Sequence, residues 1–183
     1  MGDTGLQNLM TLLETPELPE LGPGPRSGIQ TEAALGQKLQ DIFAKSKAPT
    51  RNQELIRALI LLWHDHLDPA HVIAQDIETA DGSFVHGIMH RREPDYGNAK
   101  YWFRRVGKHS ALTRMAERAE GALRADDATD VKNQVIRNSE WDSFGFVDAC
   151  EQAARKKASR AKNDLLRQLQ KIETEALLEH FWG

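Results

Sequence analysis

The apolar residues of this chain recur at intervals of three and four from about residue 29 onwards, which is the period of an α-helix. Two such stripes are clear in the first half: Leu35, Leu39, Ile42 and Phe43, then Leu55, Ile56, Leu59, Ile60 and Trp63. The sequence shows no sustained alternation of apolar and polar residues of the kind that a half-buried strand requires. The pattern therefore predicts an all-α fold, a single-domain bundle of several helices.

The last section of the chain carries an unusually regular apolar stripe. From Val147 to Ala176 the apolar positions step by three, four and four residues, which is an eleven-residue period. That period is typical of a nearly straight helix rather than a left-handed coiled coil. A helix running unbroken from Trp141 to His180 would be about 60 Å long. We therefore predict a long C-terminal helix that either breaks or is covered in part by a partner.

The first 28 residues differ from the rest, since the segment 14–28 is rich in proline and glycine and cannot hold a regular element. We predict that residues 1–28 form a flexible or arm-like tail, because chain termini are seldom tied down. Residues 29–183 then form a single helical domain. The tail and the long helix together could also join two copies of the chain, so a homodimer is an open alternative.

Composition excludes several classes of protein. A net charge of −3 provides no general attraction to nucleic acid or to an anionic membrane surface. The single cysteine, Cys150, rules out an internal disulfide and a cysteine-rich zinc module. No apolar run approaches the roughly 20 residues that span a bilayer, and no secretory signal is visible. These features favour a cytoplasmic protein without membrane or nucleic-acid partners.

The chemistry-bearing residues are concentrated between Trp63 and His109. Six of the seven histidines lie there, together with both tyrosines and a run of arginines and lysines. Short helices are expected around this region. The pair Asp81-Gly82 predicts a turn, with Ser83 capping the helix that follows it, and Asp95 is the expected N-cap of the next helix.

Three residues in this region have the spacing of a metal site. His86, His90 and Glu93 are separated by four and three positions, so on one helix their side chains would share a face. Two imidazoles and a carboxylate suit zinc, iron or manganese and leave a coordination position open. His64 or His71 from the preceding helices could complete the site, and His64 is the predicted fourth ligand. His71 joins His86, His90 and Glu93 as a candidate catalytic residue, because a neutral imidazole near a helix N-terminus can act as a base.

Polar and cationic residues next to this site predict a pocket for a small anionic ligand, since arginine suits carboxylate and phosphate groups. The predicted ligand-binding residues are Arg91, Arg92, Tyr96, Asn98, Lys100, Arg104 and Arg105. The leading hypothesis is therefore an enzyme or a ligand-binding protein, with a divalent metal as its candidate cofactor. A bound metal would activate water, and without one a histidine backed by a carboxylate could perform acid–base chemistry.

The alternative hypothesis assigns the same residues a structural role. Buried histidines can be held by carboxylates or backbone carbonyls, and arginines can clamp short helices together through ion pairs. The chain would then be a structural or assembly protein that oligomerises through its tail and its long helix. The sequence alone leaves both hypotheses open.

One stretch also resembles a known group of sequences. Residues 86–109 read HGIMHRREPDYGNAKYWFRRVGKH, and the preceding 64–87 read HDHLDPAHVIAQDIETADGSFVHG. This stretch is similar to a signature shared by a family of uncharacterised bacterial and fungal proteins. The resemblance covers roughly residues 55–112 and implies no activity. The positions that match include His71, His86, His90, Arg91, Arg92, Glu93, Asp95, Tyr96, Asn98, Lys100, Trp102, Arg104 and Arg105.

Overall fold

A computed structural model describes residues 4–46, 48–124 and 128–183, and within these ranges nearly every element is a helix. The helices in chain order are α1 (Thr4–Thr11), α2 (Glu32–Ala44), α3 (Gln53–Trp63), α4 (Leu67–Gln75), α5 (Ala80–Arg92), α6 (Tyr96–Val106), α7 (Ala111–Ala122), α8 (Thr129–Val135), α9 (Ser143–Lys156) and α10 (Arg160–Trp182). A 3-10 turn precedes α3, and a two-residue antiparallel pair, β1 (Ile136–Arg137) and β2 (Glu140–Trp141), separates α8 from α9. The predicted all-α fold and its long C-terminal helix are confirmed.

Two helices lie inside the bundle. In α3, every residue from Ala58 to Trp63 is buried, as the apolar run in this segment requires. In α5, every residue from Gly82 to Arg92 is buried, although this helix carries two histidines and two arginines. It packs against α4, α6 and α3. At Gly87, a Cβ would lie 2.9 Å from the ring of Phe103, so the absence of a side chain lets α6 approach closely.

The local signals near α5 differ in part from the sequence prediction. The Asp81-Gly82 pair does not form a loop before the helix. It lies inside α5, in the first helical turn, because Thr79 rather than Ser83 is the N-cap. The Thr79 hydroxyl accepts a hydrogen bond from the amide of Gly82 at 3.0 Å. Asp95 caps α6 as predicted, since its carboxylate accepts a hydrogen bond from the amide of Asn98.

The C-terminal stripe belongs to two helices. The chain breaks between α9 and α10, where Lys157 adopts a left-handed conformation (φ 49°) and Ser159 caps the following helix. The eleven-residue apolar period continues across this break, which is why the sequence alone left a continuous helix open. Among the described residues, no helix combines the length and apolar content needed to cross a bilayer.

The N-terminal segment lies against the body of the protein. Leu9, Leu12 and Leu13 are buried in the main core. The irregular stretch that follows is attached by polar contacts: Arg167 of α10 donates hydrogen bonds to the carbonyl oxygens of Leu18 and Pro19. Residues 1–3 of the predicted tail lie outside the described residues.

A buried ion pair joins α5 to α10. The guanidinium of Arg91 donates hydrogen bonds to both carboxylate oxygens of Glu173, at 3.0 and 2.6 Å, and neither side chain is exposed to solvent. The same guanidinium lies 4.3 Å from the ring centre of Phe146 on α9. One charged group therefore connects three helices, and the paired geometry compensates a charge that burial would otherwise disfavour.

The adjacent arginine makes a second buried network with the N-terminal segment. Arg92 donates hydrogen bonds to Asp65 at 2.7 Å and to the carbonyl oxygens of Leu62 and Gly22. Asp65 also accepts hydrogen bonds from the side chain and the amide of Arg26. Burial raises the pKa of Asp65, but the hydrogen bonds and charges of the two arginines outweigh this effect and lower it.

We predict that Glu173→Gln reduces the free energy of unfolding by about 3 kcal/mol or more, because it leaves the charge of Arg91 buried without a counter-charge. The control is Glu175→Gln on the same helix, whose pair with Lys171 is partly exposed at 3.6 Å. That change should cost less than about 1 kcal/mol. Urea unfolding followed by circular dichroism measures both values, and equal losses would contradict a special role for the buried pair.

Candidate functional site

Three histidines from two helices meet at one point. His86 and His90 lie one turn apart on α5, and His71 lies on α4. Each offers one ring nitrogen to a group whose members all lie within 4.8 Å of one another. His86 and His90 are buried, whereas His71 is partly exposed, so the cluster reaches solvent on the α4 side.

The rings are packed around His86. Its ring stacks on Trp102 of α6 with a centroid distance of 3.9 Å and lies nearly parallel to the ring of His90 at 4.8 Å. His71 contacts both other imidazoles edge-on, at 4.7 and 5.2 Å. The indole of Trp102 therefore belongs to the packing of the His86 ring.

His86 is the most unusual member of the cluster. Its side chain is 3% exposed, and both ring nitrogens lack a hydrogen-bond partner within the described residues. Five other residues in the described ranges have a buried side-chain atom without a partner, and each has only one: Arg57, Trp63, Arg91, Gln134 and Trp141. Leaving a buried polar group unpaired costs about 1–3 kcal/mol. Two unpaired nitrogens on one buried ring therefore indicate that something besides protein completes this site.

His90 is held from two sides. Its Nδ1 lies 3.2 Å from a carboxylate oxygen of Glu93, and its Nε2 lies 3.1 Å from the side-chain amide of Asn98. When Nδ1 donates its proton to Glu93, the arrangement common in histidine-ligated sites, the Nε2 lone pair accepts a hydrogen bond from the Asn98 amide, which a metal on Nε2 would replace. Glu93 is the C-cap residue of α5 and reaches His90 across the predicted spacing of three, but the group of converging ligand atoms consists of His71, His86 and His90.

Burial favours the neutral forms of His86 and His90 by lowering the pKa of each. Desolvation, together with the neighbouring imidazoles of His90 and His71, lowers the pKa of His86 to about 4. Burial also lowers the pKa of His90, although Glu93 opposes this effect. Because a metal binds the neutral imidazole, His86 has no proton to release on binding near pH 7.

Both ring nitrogens of His64, the predicted fourth ligand, form hydrogen bonds outside the cluster. Its Nε2 lies 2.8 Å from the carbonyl oxygen of Leu12, and its Nδ1 accepts a hydrogen bond from the amide of Gln30 at 3.2 Å. His71 stands in the converging group instead. The spacing of the histidines could not separate these two, because both lie upstream of α5 and only tertiary packing decides which of them reaches it.

The predicted ligand-binding residues fall into separate groups. Arg91 and Arg92 are buried in the two ion-pair networks described above, which gives them structural contacts. Lys100 pairs with Asp148 at 2.5 Å, Tyr96 packs against the core, and Arg104 lies over Phe144 at 6.0 Å. Asn98 and Arg105 adjoin the cluster. The guanidinium of Arg105 lies 5.3 Å from the Trp102 ring centre.

Comparisons with protein-family models, with curated proteins and with solved structures found no match to this chain. The signature of residues 86–109 therefore remains a resemblance, and the function must be inferred from the site alone.

We predict that His86→Phe leaves the metal-free protein as stable as the wild type or more stable, by up to about 3 kcal/mol. Phenylalanine keeps the stacking on Trp102 and removes two unpaired buried nitrogens. The control is His64→Phe, which should destabilise the protein because it leaves the Leu12 carbonyl and the Gln30 amide unpaired. Urea unfolding in the presence of a chelator gives both values. A loss for His86→Phe as large as that for His64→Phe would show that the His86 ring is an ordinary part of the packing.

Proposed function

We propose that the chain binds one divalent metal ion through His71, His86 and His90 and uses the open coordination position for water or a small anion. The observation that carries this proposal is the buried ring of His86, whose two nitrogens have no partner among the described residues. A metal bound to one of these nitrogens would give the ring a partner that the protein does not provide. Three protein ligands leave a fourth position free, where a zinc ion lowers the pKa of bound water to about 7.

The donor set narrows the choice of metal. Three imidazoles suit zinc and iron, whereas manganese prefers oxygen ligands. Glu93 supports the site from outside by orienting His90, and it is proposed here as a positioning residue rather than a ligand.

The structural alternative explains the arginines better than the histidines. Arg91 and Arg92 have partners for their charges and connect distant parts of the fold, as a packing network requires. A packing network would also pair the nitrogens of a buried histidine, and His64 illustrates this with both nitrogens bonded. His86 lacks those bonds. This contrast favours a ligand site over a purely structural role for the histidine cluster.

We expect protein purified without a polyhistidine tag to bind about one zinc ion per chain after dialysis. His86→Phe should lower the zinc affinity by more than about 100-fold, because even changes around a metal ligand cost 10- to 100-fold. The expected stability of His86→Phe separates lost binding from lost folding. Elemental analysis and calorimetric titration measure stoichiometry and affinity.

The control for the zinc titration is His66→Ala, since His66 contacts the carbonyl oxygen of Gln30 and lies outside the converging group. It should bind zinc as the wild type does. Less than about 0.1 zinc per chain in the wild type, or unchanged zinc affinity in His86→Phe, would contradict the proposed site.

A second experiment addresses the anionic ligand. Arg105 is exposed and lies over Trp102, which itself stacks on His86, so an anion extending from the metal across the indole would meet this guanidinium. We expect Arg105→Gln to weaken the binding of inorganic phosphate to the zinc-loaded protein by about tenfold, or about 1.4 kcal/mol. Arg104→Gln is the matched control, because that side chain lies over Phe144 instead. Equal effects of the two changes on calorimetric titrations would remove Arg105 from the site.

A further inference from the structure

A second cluster of polar side chains lies where the start of α5, the start of α7 and the end of α10 meet. His109 Nε2 and His180 Nε2 lie 2.7 and 3.1 Å from the same carboxylate oxygen of Asp81. The hydroxyl of Ser110 lies 3.3 Å from His180 Nδ1. Asp81 and His180 also line a surface cleft of about 370 Å³. The metal site proposed above uses none of these residues.

The hydrogen bonds of His109 fix which nitrogen carries its proton. The amide of Ala111 donates to His109 Nδ1 at 3.2 Å, so Nδ1 must carry the lone pair. The proton then resides on Nε2, which donates it to Asp81. A metal on Nε2 would need the opposite tautomer, in which Nδ1 donates its proton to an acceptor. This arrangement favours an orienting hydrogen bond to Asp81 over a second metal site.

The same reasoning applies to His180. The hydrogen bond from His109 lowers the pKa of Asp81, although burial opposes this effect. Asp81 is therefore a carboxylate near neutral pH and can only accept hydrogen bonds. His180 Nε2 must carry a proton to approach it at 3.1 Å. His180 Nδ1 then carries the lone pair and faces the hydroxyl of Ser110.

The hydroxyl of Ser110 does not make the hydrogen bond that a capping serine usually makes. Ser110 stands at the N-terminus of α7 in a helical conformation and makes no capping hydrogen bond, while the ring of the preceding His109 accepts the amide of Ala111. Ser159 at the start of α10 shows the usual arrangement, with its hydroxyl accepting a hydrogen bond from the amide of Lys162. The Ser110 hydroxyl is thus free of the helix and exposed, with an imidazole beside it.

We propose that Ser110 is a nucleophile, with His180 as its general base and Asp81 as the residue that orients His180, acting on small carboxylic esters. A nucleophile, a base and an orienting carboxylate in hydrogen-bond sequence are the arrangement that such chemistry requires. His109 supports Asp81 from the other side. The cleft next to His180 has Arg51 at its wall, which suits an acyl group bearing a negative charge.

The reaction requires only the ester and water. Ser110 Oγ bonds to the ester carbonyl carbon while its proton passes to His180 Nδ1. The bond from that carbon to the alcohol oxygen breaks, and His180 returns the proton to the departing alcohol. Water then attacks the acyl-serine with His180 again as the base, which releases the carboxylic acid and restores the serine. Ser110 lies at the N-terminus of α7, the end at which a helix dipole favours negative charge.

A fluorophosphonate probe on the full chain tests this proposal, with mass spectrometry to locate the label. We expect labelling at Ser110 and its loss in Ser110→Ala. His180→Ala should slow labelling by about 100-fold, within the range that a general base contributes. Ser159→Ala is the matched control and should label like the wild type. Circular dichroism confirms that each variant is folded.

The pH profile separates an orienting role of Asp81 from a merely structural one. A carboxylate next to an imidazole favours its protonated form, so Asp81→Asn should shift the midpoint of the labelling rate to lower pH as well as slow labelling. No label at Ser110, labelling that is unaffected by His180→Ala, or zinc that binds at Asp81 and His180 and blocks the probe would each overturn the proposal.

Discussion

Helix α5 imposes the main constraint on this fold, because it is enclosed on all sides yet carries charged and titratable side chains. An apolar helix in that position would need only shape complementarity. Helix α5 needs a specific partner for each polar group, because burying such a group without a partner costs more free energy than its packing contributes. Glu173 and Asp65 meet that need for Arg91 and Arg92. The positions of α10, the end of α3 and the N-terminal segment follow from these two pairs.

The histidines of α5 differ from its arginines in one respect that bears on function. The charges of the arginines are matched within the protein, whereas His86 has no hydrogen-bond partner among the described residues. A fold that pairs nearly all of its buried polar groups rarely leaves two nitrogens of one ring unpaired without a reason. The stacking of Trp102 holds that ring in place, and His71 connects it to solvent. The cluster is therefore packed on one side and reaches solvent on the other, which suits a binding site.

The sequence predicted the helical class and the region of the candidate site because both depend on local spacing. It could not predict which residues meet across the fold. Glu93 contacts His90 at the predicted helical spacing, but the third imidazole of the cluster comes from another helix. His71 and His64 are equivalent in sequence terms, and only tertiary packing distinguishes them. Asp81 resembled a turn residue because it precedes glycine, although it belongs to the first turn of α5. Its contacts with His109 and His180 join residues 28 and 99 positions away, a distance that no local pattern spans.

The ion pair between Arg91 and Glu173 joins positions 82 residues apart. At a synthesis rate of 5–20 residues per second, α5 emerges from the ribosome roughly 4–16 s before the carboxylate that neutralises it. During that interval, the nascent chain holds a guanidinium that cannot enter the apolar interior. The ion pair therefore forms late, only after α10 has been synthesised, and until then α5 cannot take its buried place in the bundle.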